Sequence, residues 1–226
     1  MSSNKPIGIF DSGIGGLTVA NSINRLLPNE KIIYFGDTLH LPYGSKSPEK
    51  INEYSEKIVK FLLEKNCKAI VFACNSASSI SFDSISKKYF EQTTFFNVID
   101  PVIDYIKSSK NIKNVGVIGT EATINSQVYS KKISKTKKNI LVKPMATPLL
   151  ASLIEDNKSI FFSNSILKKY LENKLLKGID SLILGCTHYP IISREISTFF
   201  KDSIEIISSD KLLCYYLNDT LKKKNL

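Results

Sequence analysis

Two stretches decide the fold: SLILGCTHYP at residues 181–190 and AIVFACNSAS at residues 69–78. Each is a short apolar run that ends in a cysteine followed by small polar side chains. Such a run, bounded by turn residues, reads as a buried strand. Working outward, IGIF, IIYF, VGVIG, ILV and IEII repeat the pattern, and longer amphipathic segments lie between them. Strands alternating with helices are the mark of a parallel α/β sheet. Helices are expected over 48–65, with Pro48 near the start, over 77–90, over 159–174, and over 209–222, where Ser208 or Ser209 would cap.

The two cysteine-bearing strands lie about half the chain apart, and each leads through a polar turn into a helical pattern. This points to two pseudo-symmetric α/β domains, mainly parallel in their sheets, facing each other across a cleft. The boundary falls near NVIDPVID at 97–104, and NVGVIGTEAT opens the second half. The last strand and helix, from about residue 204, are expected to rejoin the first half. The domains are then 1–97 plus 207–226 and 98–206.

With 226 residues and 42% hydrophobic content, the chain can bury one large core or two modest ones. Its start, MSSNKPIGIFDSG, holds no apolar stretch of signal-peptide length, and no segment approaches the ~18 apolar residues of a membrane span. A cytoplasmic protein with no membrane partner is expected. Cys67, Cys74, Cys186 and Cys214 lie in or beside apolar runs, unlike a secreted disulfide framework, and read as free thiols. The net charge of +10 comes almost wholly from lysine, with Arg25 and Arg194 the only arginines. Base readout and bidentate phosphate recognition favour arginine, so the lysines read as solvated faces and no nucleic-acid partner is expected.

Ligands of open α/β sheets bind beyond the carboxyl ends of the strands. Asp11 and Ser12 after IGIF, Cys74, Asn75 and Ser76 after IVFA, and Cys186, Thr187 and His188 after LILG all fall at that place. A cysteine between a strand and a helix N-terminus is expected to have its thiolate stabilised and its pKa lowered. Either one alone reads equally well as a small core residue; the pair in one special position does not. Cys67 and Cys214 lack polar neighbours and read as structural.

Four chemistries fit two facing thiols. A Cys₂His zinc site lacks a fourth ligand and any C-x-x-C spacing, so no metal is expected. A Cys186–His188 nucleophile for acyl transfer leaves Cys74 unused. A redox disulfide has no need of the surrounding Asn, Ser and Thr. Two thiols on opposite faces of a carbon acid, one removing a proton and one delivering it, use every part. With each sulfur at a near-attack distance of ~3 to 3.5 Å, the pair would stand roughly 6 to 7 Å apart. Asp11 and His188 would then serve Cys74 and Cys186 as polar partners, though Asp11 also reads as a helix cap and His188 as a hydrogen-bonded structural histidine. His40, with no thiol beside it, reads as a loop residue. DSGIGGLTV at 11–19 suits a small anion such as a carboxylate held by backbone amides. In GDTLHLPYGSKS, Pro42, Tyr43 and Gly44 form an ordered loop that could cover a ligand or simply turn the chain.

Taken together, IGIFDSGIGGLTV, YFGDTLHLPYGSKS, VFACNSAS, GVIGTEATI and LILGCTHYP resemble the glutamate racemases of the aspartate/glutamate racemase family, in the family's order from residue 7 to residue 190. The resemblance implies two α/β domains with the active site between them. It also implies racemisation of glutamate by two-base proton transfer at Cα without pyridoxal phosphate or any other cofactor, D-glutamate for peptidoglycan synthesis, and a homodimer. Position by position it makes Cys74 and Cys186 the catalytic pair, assisted by Asp11 and His188. It makes Ser12, Pro42, Tyr43, Gly44, Asn75, Ser76 and Thr187 the substrate-binding residues. Ser76 stands where the family usually has threonine, Lys143 stands in place of a family cysteine, and Glu155 matches a family glutamate near the site. The sequence ends with LNDTLKKKNL, short for the family, and is expected to lack a terminal helix. An aspartate racemase of the same fold, a Cys-His hydrolase and a basic nucleic-acid binder are the alternatives.

Overall fold

Parallel strands alternate with helices through the computed structural model, which describes residues 4–137, 139–156 and 160–226. In the first half, β1 (Ile7–Asp11), α1 (Leu17–Leu26), β2 (Ile32–Gly36), α2 (Pro48–Glu64), β3 (Ala69–Phe72), α3 (Asn75–Ile80), α4 (Phe82–Lys88), β4 (Thr94–Asn97) and α5 (Asp100–Ser108) follow one another. The second half runs β5 (Asn114–Gly119), α6 (Glu121–Asn125), α7 (Val128–Thr136), β6 (Leu141–Ala146), α8 (Leu150–Glu155), α9 (Ile160–Leu171), β7 (Ser181–Gly185), α10 (Ser193–Phe199), β8 (Glu205–Ile207) and α11 (Ser209–Lys223).

The strands form two four-stranded parallel sheets of identical order, β2-β1-β3-β4 and β6-β5-β7-β8. Registers match as well as orders. Ile7 pairs with Ala69 as Val115 pairs with Ser181, so residues 7–12 correspond to 115–120 and residues 69–74 to 181–186. The two-sheet α/β class expected from the sequence is the one observed.

Alternation along the inner strands divides the core into three layers. Ile7, Ile9, Val71, Val115, Val117 and Ile183 point between the sheets, into one cluster shared with α5 and with Leu213 and Leu217 of α11. On the outer side of the first sheet, Phe10, Ile70 and Phe72 pack under Ile51, Ile58, Val59 and Leu62 of α2. Leu182, Leu184 and Ile118 do the same in the second sheet, under Leu167, Leu171 and Ile196. Those α2 residues recur at helical spacing, Pro48 occupies the first turn, and Ser47 accepts the Lys50 N–H as N-cap.

Several elements differ from expectation. The segment 77–90 is two helices, α3 and α4, broken at Ser81. Strand β4 was not anticipated, because TFFN lacks the aliphatic run of its neighbours. Strand β6 extends through Pro144, which an edge strand tolerates since its outer N–H has no partner to lose. The last strand does not rejoin the first half: β8 pairs with β7 in the second sheet, and only α11 returns, packing against α1 and α5. Ser208 stands before α11 without capping it; its hydroxyl bonds Asp210 instead. The segment expected over 159–174 is observed as a helix from Ile160 to Leu171, residue 159 lying outside the described residues.

Gly116, in the centre of β5, shows how closely the outer layer sits. A Cβ there would stand 2.8 Å from Leu182 Cδ1 and 2.9 Å from Ile179 Cδ1. Gly116→Ala is therefore expected to overpack the second sheet by about 1 to 3 kcal/mol, lowering Tm by several degrees in a thermal melt while Gly178→Ala, at an open turn, fails for strain instead.

Candidate active site

The carboxyl ends of β1, β3, β5 and β7 converge on one cavity. It is lined by Ser12, Leu41, Pro42, Tyr43, Gly44, Cys74, Asn75, Ser76, Thr120, Ala151, Glu155, Cys186, Thr187 and His188. All the expected catalytic and substrate-binding residues line it except Asp11, which was expected in both roles and lies immediately behind Thr187. The cavity holds about 20 Å³, space for roughly one water. Larger grooves exist, including one of about 530 Å³ lined by Leu167, Lys168, Leu171, Arg194, Glu195, Thr198 and Phe199, but no thiol or imidazole faces it.

Cys74 and Cys186 occupy equivalent places, each just past the end of the third strand of its half, β3 and β7. Ser12 and Thr120 are likewise equivalent, just past β1 and β5. Cys74 has extended backbone and precedes the first turn of α3. Its Sγ lies 3.7 Å from Ser12 Oγ. Cys186 Sγ lies 3.6 Å from His188 Nδ1, and His188 Nε2 stands 3.4 Å from Glu155 Oε2. Nε2 faces the carboxylate there without a directed hydrogen bond, a contact that becomes an ion pair only when the imidazole is protonated. Cys186, His188 and Glu155 thus form a line from the thiol to a partly exposed carboxylate.

Asp11 is fully buried. Its carboxylate accepts the Gly13 N–H at 2.9 Å and the Thr187 hydroxyl at 3.1 Å, tying the β1 turn to the β7 turn. It does not cap α1, whose N-cap is Gly16. Toward Cys74 it acts through charge. Burial raises the Asp11 carboxyl above its ordinary range, with Gly13 N–H and the nearby His188 opposing.

The loop after β2 supplies the opposite wall. Tyr43 is buried, and its hydroxyl donates to Asp37 Oδ2 at 2.5 Å. His40 Nδ1 lies 2.8 Å from the same carboxylate, and its ring stacks on Tyr54. His40 is therefore a brace for the loop rather than a loose turn residue. Gly44 touches the second half directly: a Cβ there would lie 2.5 Å from Thr120 Cβ. Ser76 Oγ and Thr120 Oγ1 share a hydrogen bond of 2.9 Å across the same seam.

The expected lowering of the thiol pKa is not what the environment produces. Burial pushes Cys74 up from 9.0 to about 11, the Asp11 charge adds to it, and the Ala77 N–H and the Ser12 donors only partly offset the rise. Cys186 is raised further, by burial first and by the charges of Cys74, Asp11 and Glu155 after it. The strand-end amides act in the anticipated direction, but removing water from a nascent thiolate outweighs them. Both thiols are neutral at rest.

Thr120, Leu41 and Ala151 line the cavity without having been singled out. Thr120 was accessible by the same rule that found Cys74, since it follows the strand VGVIG directly; the contributions of Leu41 and Ala151 are apolar and carry no sequence signal. Among the described residues, no three His, Cys, Asp or Glu side chains are grouped to hold a metal ion, and no helix is long and apolar enough to cross a membrane.

A protein-family model described as Asp/Glu/Hydantoin racemase matches residues 7–214 of this chain. The chain belongs to that family. A glutamate racemase from Lactobacillus acidophilus is 36% identical over 224 residues, covering 99% of this chain and 83% of the relative. The crystal structure of the glutamate racemase isoform RacE1 from Bacillus anthracis superposes with a TM-score of 0.93 at 34% identity, covering 98% of this chain and 83% of that one. The glutamate racemase from Francisella tularensis, solved in complex with D-glutamate, does so with a TM-score of 0.91 at 38% identity, covering 99% and 83%. The family relationship makes the protein an enzyme of the isomerase class, a glutamate racemase by kinship.

All four cysteines are buried free thiols, and the same desolvation raises Cys67 to about 11 and Cys214 to about 12. Their contribution to stability is complete below pH 9, where folded and unfolded thiols are both protonated. It is lost as pH rises, because the unfolded chain releases these protons first. Tm is expected to fall steadily between pH 9 and pH 11. Cys214→Ala should melt a few degrees lower at pH 8 yet lose less on going to pH 10.5; an equal loss in both proteins would contradict the assignment.

Proposed function

We propose that the protein interconverts L- and D-glutamate by proton transfer between two thiols, Cys74 and Cys186, on opposite faces of the substrate's Cα and without a cofactor. The observation that carries this reading is that two buried thiols from equivalent strand ends of two sheets line one closed cavity. The kinship to glutamate racemases, one of them solved with D-glutamate, supports glutamate as the substrate.

In the direction from D to L, the Cys74 thiolate takes the Cα proton. The electron pair left behind is held at Cα and its carboxylate while the Cys186 S–H gives its proton to the other face. L-glutamate leaves with Cys74 protonated and Cys186 as thiolate, the state from which L-glutamate is converted back. Since both thiols are neutral at rest, one must first be ionised. For Cys186 the proton acceptor is His188, 3.6 Å away, whose imidazolium Glu155 would stabilise. For Cys74 the Ser12 hydroxyl, 3.7 Å away, supports the thiolate, and the proton passes to Asp11, which burial makes more basic and whose opposing charge is cancelled on accepting it. The substrate's ammonium group favours the thiolate form of either. Ser12, Asn75, Ser76 and Thr187, with the backbone N–H groups of Tyr43 and Gly44, hold the carboxylates, and Pro42 walls the site. A substrate carboxylate is the natural acceptor for the Asn75 Nδ2, which is buried without a partner.

Glutamate is several times larger than the cavity, so its walls must part for entry. The first sheet with α1 to α5 and α11, and the second sheet through β8 with α6 to α10, are the bodies that would separate, the seam running through Ser76–Thr120 and Gly44. We place the enzyme in the cytoplasm as a homodimer, its product serving peptidoglycan synthesis.

Proton NMR of L-glutamate in D₂O with the reduced protein and no added cofactor tests the reaction. The Cα proton signal should vanish as optical activity decays to zero. Cys74→Ser and Cys186→Ser should each slow racemisation by at least about 100-fold; full activity in either overturns the two-base assignment. Faster turnover of aspartate would move the substrate assignment, and a covalent acyl adduct on Cys186 would replace racemisation by acyl transfer.

A further inference from the structure

Asn75 follows Cys74 directly and opens α3. It is 1% exposed and lines the cavity. Its amide is bonded on one side only: Oδ1 accepts from Tyr129 Oη at 2.8 Å, while Nδ2 is buried without any partner. The two ends of an amide are chemical opposites, one accepting and one donating, so which end faces the cavity decides what the cavity can hold.

Tyr129 reaches this amide from α7, in the other half of the molecule. Its hydroxyl is fully buried and has a proton to place, and Asn75 Oδ1 is where the proton goes. Burial, together with the charges of Asp100 and Cys186, holds the phenol well above its ordinary pKa, so it remains a donor through the working range. With Oδ1 committed to that donor, Nδ2 and its two N–H groups are turned to the site. The opposite orientation would set Oδ1 against a bound carboxylate, acceptor against acceptor. The ring is fixed as well: it lies along Gly185, where a Cβ would stand 3.6 Å from Tyr129 Cε2, directly before Cys186.

We propose that Tyr129 is a positioning residue, setting the orientation of the Asn75 amide from across the cleft so that Nδ2 is presented to a carboxylate of the substrate. This deepens the glutamate reading above and rests on it. Tyr129 acts through Asn75 and touches no reacting atom. Removing its hydroxyl frees the amide to turn, which weakens ground-state binding more than it slows proton transfer.

Kinetics of the wild type, Tyr129→Phe, Asn75→Ala and the double variant, with thermal melts of each, form the test. Tyr129→Phe should raise KM for D- and L-glutamate about tenfold while kcat stays within about threefold. In the Asn75→Ala background the same substitution should raise KM no further, since there is no amide left to orient. Equal effects of Tyr129→Phe in both backgrounds, or an unchanged KM, overturn the proposal. If Tyr129→Phe does not fold, the wild type decides: the ¹⁵N-labelled Asn75 side-chain amide signals should shift on adding D-glutamate, and signals that stay in place overturn it. A wild type that binds glutamate in calorimetry but does not racemise it would defeat the proposed reaction alone. The four-protein cycle would then be judged on dissociation constants.

Discussion

Parallel pairing is the constraint on which the rest of the structure depends. A parallel strand must send its chain back across the sheet before the next strand can begin, so every strand ends on the same side. In both sheets the turns at that side carry polar groups out of the buried strands toward one place. Asp11, Ser12, Cys74, Asn75, Thr120, Cys186 and Thr187 are gathered for that reason, from positions far apart in sequence. Facing the two sheets through a shared apolar layer then sets one group of turns against the other.

The seam between the halves is made of two materials. Away from the site it is apolar, with strands of both sheets and the returning helix α11 in one cluster. At the site it is polar: Asp11 with Thr187, Thr18 with the Thr187 carbonyl, Ser76 with Thr120, and Asn75 with Tyr129. Hydrogen bonds that water can replace contribute modestly to closure, about 1 kcal/mol for each neutral pair and about 1.5 to 3 kcal/mol for the one to the Asp11 carboxylate. The apolar layer cannot be exchanged with water in that way. A molecule so joined would open at its polar edge sooner than at its apolar one.

Much of this was legible in the sequence because it rests on local pattern. Seven strand runs, the equivalence of Cys74 and Cys186, and the gathering of polar residues at strand ends follow from apolar periodicity and one rule about α/β sheets. What escaped depended on neighbours distant in the chain. TFFN becomes a strand because β3 offers it an edge to pair with. The last strand joins the second sheet because β7 is available to it, although the helix that follows packs on the first half. His40 acquires its role from Asp37 and Tyr54, and Tyr129 from Asn75. The direction of the thiol shifts was misjudged for a related reason: the helix amides could be read from position, whereas the depth of burial that overrides them is a property of the closed molecule.

That burial also bears on how such an enzyme survives. Oxidants and electrophiles attack thiolates that they can reach, and each step up the oxidation ladder beyond the first is hard to reverse. Cys74 and Cys186 are at rest neither ionised nor accessible. On the two-base reading proposed above, their nucleophilicity would be created inside the site, in the presence of the molecule on which it is used. The same desolvation that favours the neutral thiols therefore works as chemical armour, slowing their reaction with small oxidants that attack the thiolate.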